Sequence, residues 1–168
     1  MRKLAKDIVG HESQEIELSG WVDAYRAHGK ILFVDLRDRS GVAQLVFLQK
    51  SEELYKVATS LRPEWVVRVR GVVNKRPEGM QNPSLPNGLH EVLVGEIEIL
   101  SRAETSPIPI DTDGHDIEEE LRLKYRYLDL RRARLQKNIK LRARFLNEVR
   151  KFLVAHDFTE IETPLLTK

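Results

Sequence analysis

Apolar and polar residues alternate along residues 15–25 (EIELSGWVDAY), placing Ile16, Leu18 and Val22 on one side of an extended chain. That period of two predicts a half-buried strand. Residues 31–37 and 42–48 repeat the pattern and are separated by Asp38-Arg39-Ser40-Gly41, a tight hairpin turn by composition, so the three form a meander. In residues 52–61 the period changes to that of a helix, with Leu54, Val57, Ala58 and Leu61 on one face and Arg62-Pro63 as the stop. Residues 65–74 and 89–100 return to strand, joined by the Pro- and Gly-rich loop RPEGMQNPSLPNG. In the second of these the apolar phase runs Val92, Val94 and then Ile97, Ile99, a slip of one residue that predicts a bulge at Gly95.

Three strands, a helix and two strands is the order of an OB-fold, a partly open five-stranded barrel that often binds single-stranded nucleic acid or oligosaccharide. SH3-like barrels share much of that order, and a fold does not by itself dictate a function. Side-chain phase is more informative. If Leu32, Val34 and Leu36 point inward, then Ile31, Phe33, Asp35 and Arg37 point outward, and in the next strand Gln44 turns outward beside Val46. An aromatic ring and a primary amide on one open face could stack a base and pair with its edge. Phe33 packed beneath a loop and Gln44 merely solvated is the other reading that the pattern allows. Arg26, His28 and Lys30, placed by the pattern in the loop before this strand, could meet phosphate or simply be solvated. Glu91 falls on the outward phase of the last strand, where its carboxylate suits the N1–H and N2–H donors of guanine; alone it would be ordinary surface.

Charge divides the chain in three. Residues 1–100 are net neutral, residues 101–120 carry −6 and residues 121–168 carry +8, although the whole chain is only +2. A neutral barrel does not gain nucleic-acid affinity from bulk field, so any such role depends on placed groups. Hydrophobic residues at 41% are enough to bury a core, which excludes disorder. The absence of cysteine removes disulfides, zinc ribbons and thiol chemistry. No apolar run approaches the roughly 20 residues of a membrane helix, and the start lacks a signal-peptide core, so a cytoplasmic protein without membrane contact is expected.

Residues 1–100 are therefore expected to form the barrel, residues 101–120 (SRAETSPIPIDTDGHDIEEE) an acidic linker, and residues 121–168 the beginning of a further domain. In the last part, the run IEEELRLKYRYLDLRRARL predicts one helix ending near Leu130. Asn138 is expected to cap a second helix through His156, with Leu141, Phe145, Val149, Phe152 and Leu153 as its apolar stripe. FTEIETPLLT, residues 158–167, then predicts a short extended segment containing Pro164.

LRLKYRYLDLRR and FLVAHDFTEIETPLLTK resemble the entry to the catalytic domain of class II aminoacyl-tRNA synthetases, the second resembling motif 1. GWVDAYRAHGKILFVDLRDRSGVAQLVF resembles the anticodon-binding OB domain of the bacterial-type aspartyl-tRNA synthetase family (class IIb). The implied architecture is a mainly β OB-fold barrel of five strands and one helix, followed by a helical tail that begins a class II α+β catalytic domain. The resemblance assigns Phe33 to stacking on the middle anticodon base, Gln44 to hydrogen-bonding that uracil, Glu91 to the first anticodon base, a guanine or its modified form, and Arg26 to a phosphate or base contact. His28 and Gly79 resemble the pair found in the non-discriminating branch, which charges both tRNA(Asp) and tRNA(Asn). Motif 1 implies a homodimer interface that includes Phe152, Ile161 and Pro164.

The family's activation chemistry uses motifs 2 and 3, with arginines for ATP and acidic residues for Mg²⁺ and the substrate amine. These follow motif 1 and are absent from the 168 residues, so this chain is expected to hold no catalytic residue, metal or cofactor and to be inactive alone. ATP and Mg²⁺ are expected for a longer parent that joins aspartate to tRNA through aspartyl-adenylate. A tail without that domain is expected to be loosely packed, self-associating or aggregation-prone, with Phe145, Phe152, Ile161 and Leu165 uncovered. The other reading is a free-standing OB module that binds RNA or a protein without catalysis.

Overall fold

The computed structural model describes residues 2–83 and 87–164, which divide between Glu104 and Thr105 into two compact units. The first begins with the short strand β1 (Arg2–Lys3) and a 3₁₀ helix (Ala5–Gly10). It continues through β2 (Glu15–His28), β3 (Ile31–Asp38), β4 (Gly41–Leu48), the helix α1 (Glu52–Ser60), β5 (Val66–Lys75) and β6 (His90–Ser101). The strand order is β1-β2-β3-β4-β6-β5, and a further pairing of β2 with β5 closes strands 2 to 6 into the expected five-stranded barrel. Closure is possible because β2 is long: its first half pairs with β5 and its second half with β3.

The expected inward phase is the one observed. Leu32, Val34, Leu36, Ala43, Leu45 and Phe47 are buried in the barrel with Val22, Val69 and Val92, and Ala58 and Leu61 join them from α1 and its C-terminal end. The bulge at Gly95 is present as well, since Arg70 pairs with Glu96 while the next residue, Gly71, pairs with Val94. Gly71 has no alternative side chain there, because a Cβ would collide with the carbonyl of Leu93.

Three features of this unit differ from the sequence expectation. Ala5 and Ile8 of the 3₁₀ helix are core residues, a contribution that a single short turn does not announce through periodicity. Val46, expected to point outward with Gln44, is buried where β4 meets β6 in parallel register opposite Leu93. Arg26 and His28 lie not in a loop but on β2, which runs to His28 and turns through Gly29 and Lys30, with Gly29 at φ +60°. Pairing with β3 extends the strand beyond its own apolar pattern.

The second unit contains α2 (Glu119–Lys124), α3 (Arg126–Asp129) and α4 (Ala133–Val154). The single helix expected to run to Leu130 is broken at Tyr125, whose φ −105° and ψ 41° end α2. Asn138 is not a cap: α4 begins after Arg132, whose carbonyl already accepts from the amide of Gln136 at 2.9 Å. The cause of the early start lies in side chains. Asp129 and Arg132 are both fully buried and bonded at 2.7 Å, and Arg132 also donates to the Thr112 carbonyl and hydroxyl at 3.0 and 2.9 Å. Thr112 belongs to the stretch expected to be a linker, which therefore packs with the residues that follow it. No residue of α4 is buried. No strand forms among the described residues 158–164, and Leu165 lies outside the described residues.

Candidate nucleic-acid interface

Two cross-strand rows build the outward face of the barrel. In one, Arg26 on β2 pairs with Phe33 on β3, which pairs with Val46 on β4, which pairs with Leu93 on β6. In the other, Ala24 pairs with Asp35 and Asp35 with Gln44, and the parallel register of Leu45 with Val92 sets Gln44 beside Glu91. Arg26 reaches this face because β2 bulges at Asp23: Val22 pairs with Leu36 and Ala24 with Asp35, leaving Asp23 unpaired. Simple alternation from Val22 would have turned Arg26 the other way, and the extra residue reverses the parity.

Hydrogen bonds between neighbouring strands hold the polar groups in place. The Arg26 guanidinium donates to Asp35 at 3.1 Å. The Gln44 amide nitrogen donates to Oε2 of Glu91 at 3.2 Å. Its other N–H and its oxygen have no partner among the described residues, so the amide presents one donor and one acceptor outward. Phe33 is half-buried, in register with Arg26 on one side and Val46 on the other.

Two further residues belong to the cluster and were not singled out from sequence. Arg76, just past β5, donates from Nε to the His90 carbonyl at 3.0 Å and stands close enough to influence both Glu91 and Asp35. Asp35 shares the outward phase of Phe33, but its grip on Arg26 needs the β2 bulge, which no residue pattern marks. Burial pushes the Glu91 carboxyl above the usual glutamate range, with Arg76 and the Gln44 bond opposing. Burial raises Asp35 likewise; Arg26 opposes, Asp23 reinforces and Arg76 opposes. Burial lowers Arg76, against the pull of Glu91 and Asp35. The face thus holds two carboxylates and two guanidiniums in balance, a field suited to reading base edges rather than gathering phosphate.

Arg26, Phe33, Gln44 and Glu91 therefore share one face. His28 is exposed at the end of β2, paired with Ile31. Gly79 lies in the β5–β6 loop at φ +83°, in a turn closed by the Met80 amide donating to the Pro77 carbonyl, with open space where a side chain would stand. In the second unit Phe152 and Ile161 are 62% and 77% exposed, and Pro164 is exposed. No described cluster of three or more His, Asp or Glu side chains could hold a metal ion, and among the described residues no helix is long and apolar enough to cross a membrane.

Comparison with known proteins covers both units. Residues 16–100 match the family model described as an OB-fold nucleic acid binding domain, and residues 118–168 match class II tRNA synthetases (D, K and N). The chain is 51% identical over 156 residues to an aspartate–tRNA(Asp/Asn) ligase of Syntrophomonas wolfei, covering 92% of this chain and 26% of that protein. It is equally similar, 51% over 155 residues, to the ligase of the same name from Moorella thermoacetica. The chain spans about a quarter of the length of these curated relatives. Among solved structures, asparaginyl-tRNA synthetase from Pyrococcus horikoshii superposes with a TM-score of 0.81 at 26% identity, over 98% of this chain and 38% of that one. Aspartyl-tRNA synthetase from Entamoeba histolytica, at 20% identity and a TM-score of 0.83 over 99% of this chain and 40% of that one, shares the fold.

Proposed function

The chain belongs to the family of OB-fold nucleic acid binding domains and corresponds to the N-terminal part of class II aspartyl-tRNA synthetases, and on that premise we propose that its barrel reads the anticodon of tRNA(Asp) for a cytoplasmic, ATP-dependent aspartate–tRNA ligase. The observation that supports this reading is the shared outward face of Phe33, Gln44 and Glu91 on β3, β4 and β6. The middle base of the anticodon GUC stacks on the Phe33 ring, a contact worth about 1–3 kcal/mol. Gln44 donates to O4 of that uracil and accepts from its N3–H; cytosine presents the reverse pair of groups. The Glu91 carboxylate accepts from N1–H and N2–H of the first-position guanine, and Arg26, steadied by Asp35, meets the loop backbone.

The relatives are named for both tRNA(Asp) and tRNA(Asn). We extend that breadth to this chain, with His28 and the unhindered turn at Gly79 bordering the third base, the one that differs between GUC and GUU. In the parent, ATP and Mg²⁺ serve aspartyl-adenylate formation in the part of the catalytic domain that follows, and Phe152, Ile161 and Pro164 lie in a homodimer interface.

Binding of anticodon stem-loops carrying GUC, GUU and GCC tests the reading directly. GUC and GUU should bind alike and GCC more weakly. Equal affinity for all three overturns specific decoding, and a clear preference for GUC over GUU overturns the dual use.

A further inference from the structure

We propose that Glu91 is also the positioning residue that fixes which way round the Gln44 amide faces, so that the middle base is read as uracil and not as cytosine. This deepens the anticodon reading above and rests on it. The two ends of a primary amide have almost the same shape, so rotation by half a turn exchanges donor for acceptor without any steric penalty. Uracil offers an acceptor at O4 and a donor at N3; cytosine offers a donor at N4 and an acceptor at N3. A glutamine free to rotate would therefore pair with either base, and the side chain alone carries no preference.

The barrel supplies one. The Gln44 amide nitrogen donates to Oε2 of Glu91 at 3.2 Å, and an ionised carboxylate can only accept. Rotating the amide would set its oxygen against the Glu91 oxygen, losing a charge-assisted bond and gaining a repulsion. The backbone maintains the pair, because β4 and β6 run in parallel register immediately beyond it, through Leu45 with Val92 and Val46 with Leu93. Arg76, bonded at Nε to the carbonyl of His90, favours the ionised form of the neighbouring Glu91 against its burial. Across the other strand boundary Gln44 pairs with Asp35, but the Asp35 carboxylate is taken by Arg26. Glu91 thus serves two anticodon positions: the first through its own oxygens and the middle one through Gln44.

The test measures the affinity of the 168-residue chain for stem-loops that differ only in the middle base, GUC against GCC. Any loss of contact to the first guanine weakens both RNAs alike and cancels in the ratio. In Glu91→Gln the residue at 91 can present either an N–H or a carbonyl, so Gln44 is released. The preference for uracil should fall by about tenfold, the scale of a hydrogen bond to a charged group, with GCC gaining relative to GUC. An unchanged ratio with both affinities reduced would overturn the lock while leaving the decoding face intact. A wild-type chain without preference for GUC would remove the decoding reading and the lock together. A variant that does not fold is replaced by Glu91→Asp, whose shorter side chain withdraws from Gln44; a fall in the same ratio supports the lock and an unchanged ratio overturns it. In the unliganded protein, the Gln44 side-chain amide proton signals should shift as Glu91 titrates; signals indifferent to that titration would also count against the lock.

Discussion

Gly114 lies against the guanidinium of Arg132, so close that a Cβ at residue 114 would stand 2.6 Å from Nε. The glycine also holds φ at +78°, a conformation that L side chains resist. Both properties let residues 112–114 wrap an arginine with no exposed surface, whose charge is met by Asp129 at 2.7 Å. Gly114→Ala should therefore destabilise the second unit by about 1–3 kcal/mol and leave the barrel unaffected. Hydrogen exchange resolved by peptide checks this: faster exchange confined to residues 105–164 is expected, and uniform protection would contradict it.

The same carboxylate gives a pH dependence. Burial pushes Asp129 up, but its bonds from Arg122 and Arg132 outweigh that and hold it below the usual aspartate range. A depressed carboxyl stabilises the fold above its unfolded pKa, and that contribution disappears as pH falls through the lower folded value. Acid melting of the second unit should therefore continue below the ordinary aspartate range of about 4, and Asp129→Asn should flatten it. Circular dichroism between neutral pH and pH of about 2 follows this.

Glu91 behaves with the opposite sign. Its carboxyl is raised by burial, so lowering pH begins to protonate it above the ordinary glutamate value of 4.5. Protonation favours the folded barrel, because the unfolded chain binds that proton less tightly. The grip on Gln44 weakens over the same interval. The ratio of GUC to GCC affinity should decline on acidification before the barrel loses stability, and a ratio constant down to the ordinary glutamate range would refute this.

Phe33→Ala should lower stem-loop affinity by about tenfold or more, the cost of one lost base stack, with little change in melting temperature because the ring is only half-buried. Isothermal titration with a parallel thermal melt separates the two effects. A large drop in melting temperature would mark Phe33 as a packing residue instead.

Ile8 makes the complementary case. It is fully buried although it lies in a single 3₁₀ helix, which Asp38 tethers by accepting from the Ala5 amide at 2.8 Å and Asn87 by donating to the Ala5 carbonyl at 2.9 Å. Ile8→Ala should cost about 2–4 kcal/mol, measured by urea unfolding of the barrel. A cost under about 1 kcal/mol would show that this helix is peripheral.

The barrel strands were legible in the chain because each carries its own alternation, repeated five times with turn residues between. Leu32, Val34 and Leu36 fix the direction of Phe33 without reference to any distant residue, and the slip around Gly95 reports its bulge in the same local way. The 3₁₀ helix was not legible, since one short turn has no period to detect. The second unit misled for a related reason: its helix boundaries follow from Asp129, Arg132 and Thr112 meeting in three dimensions, and the spacing of apolar residues around Asn138 carries no trace of that meeting.

Phase along single strands placed an aromatic ring, an amide and a carboxylate on the outside of a small barrel, because parity in a strand is a property of neighbouring residues. Which of those groups touch was settled by register between strands far apart in sequence. The parallel pairing of β4 with β6 brings Glu91 to Gln44, and the bulge at Asp23 turns Arg26 toward Asp35. Register depends on the closure of the whole sheet, so an amide that is ambiguous in the linear chain acquires an orientation only when the barrel is complete.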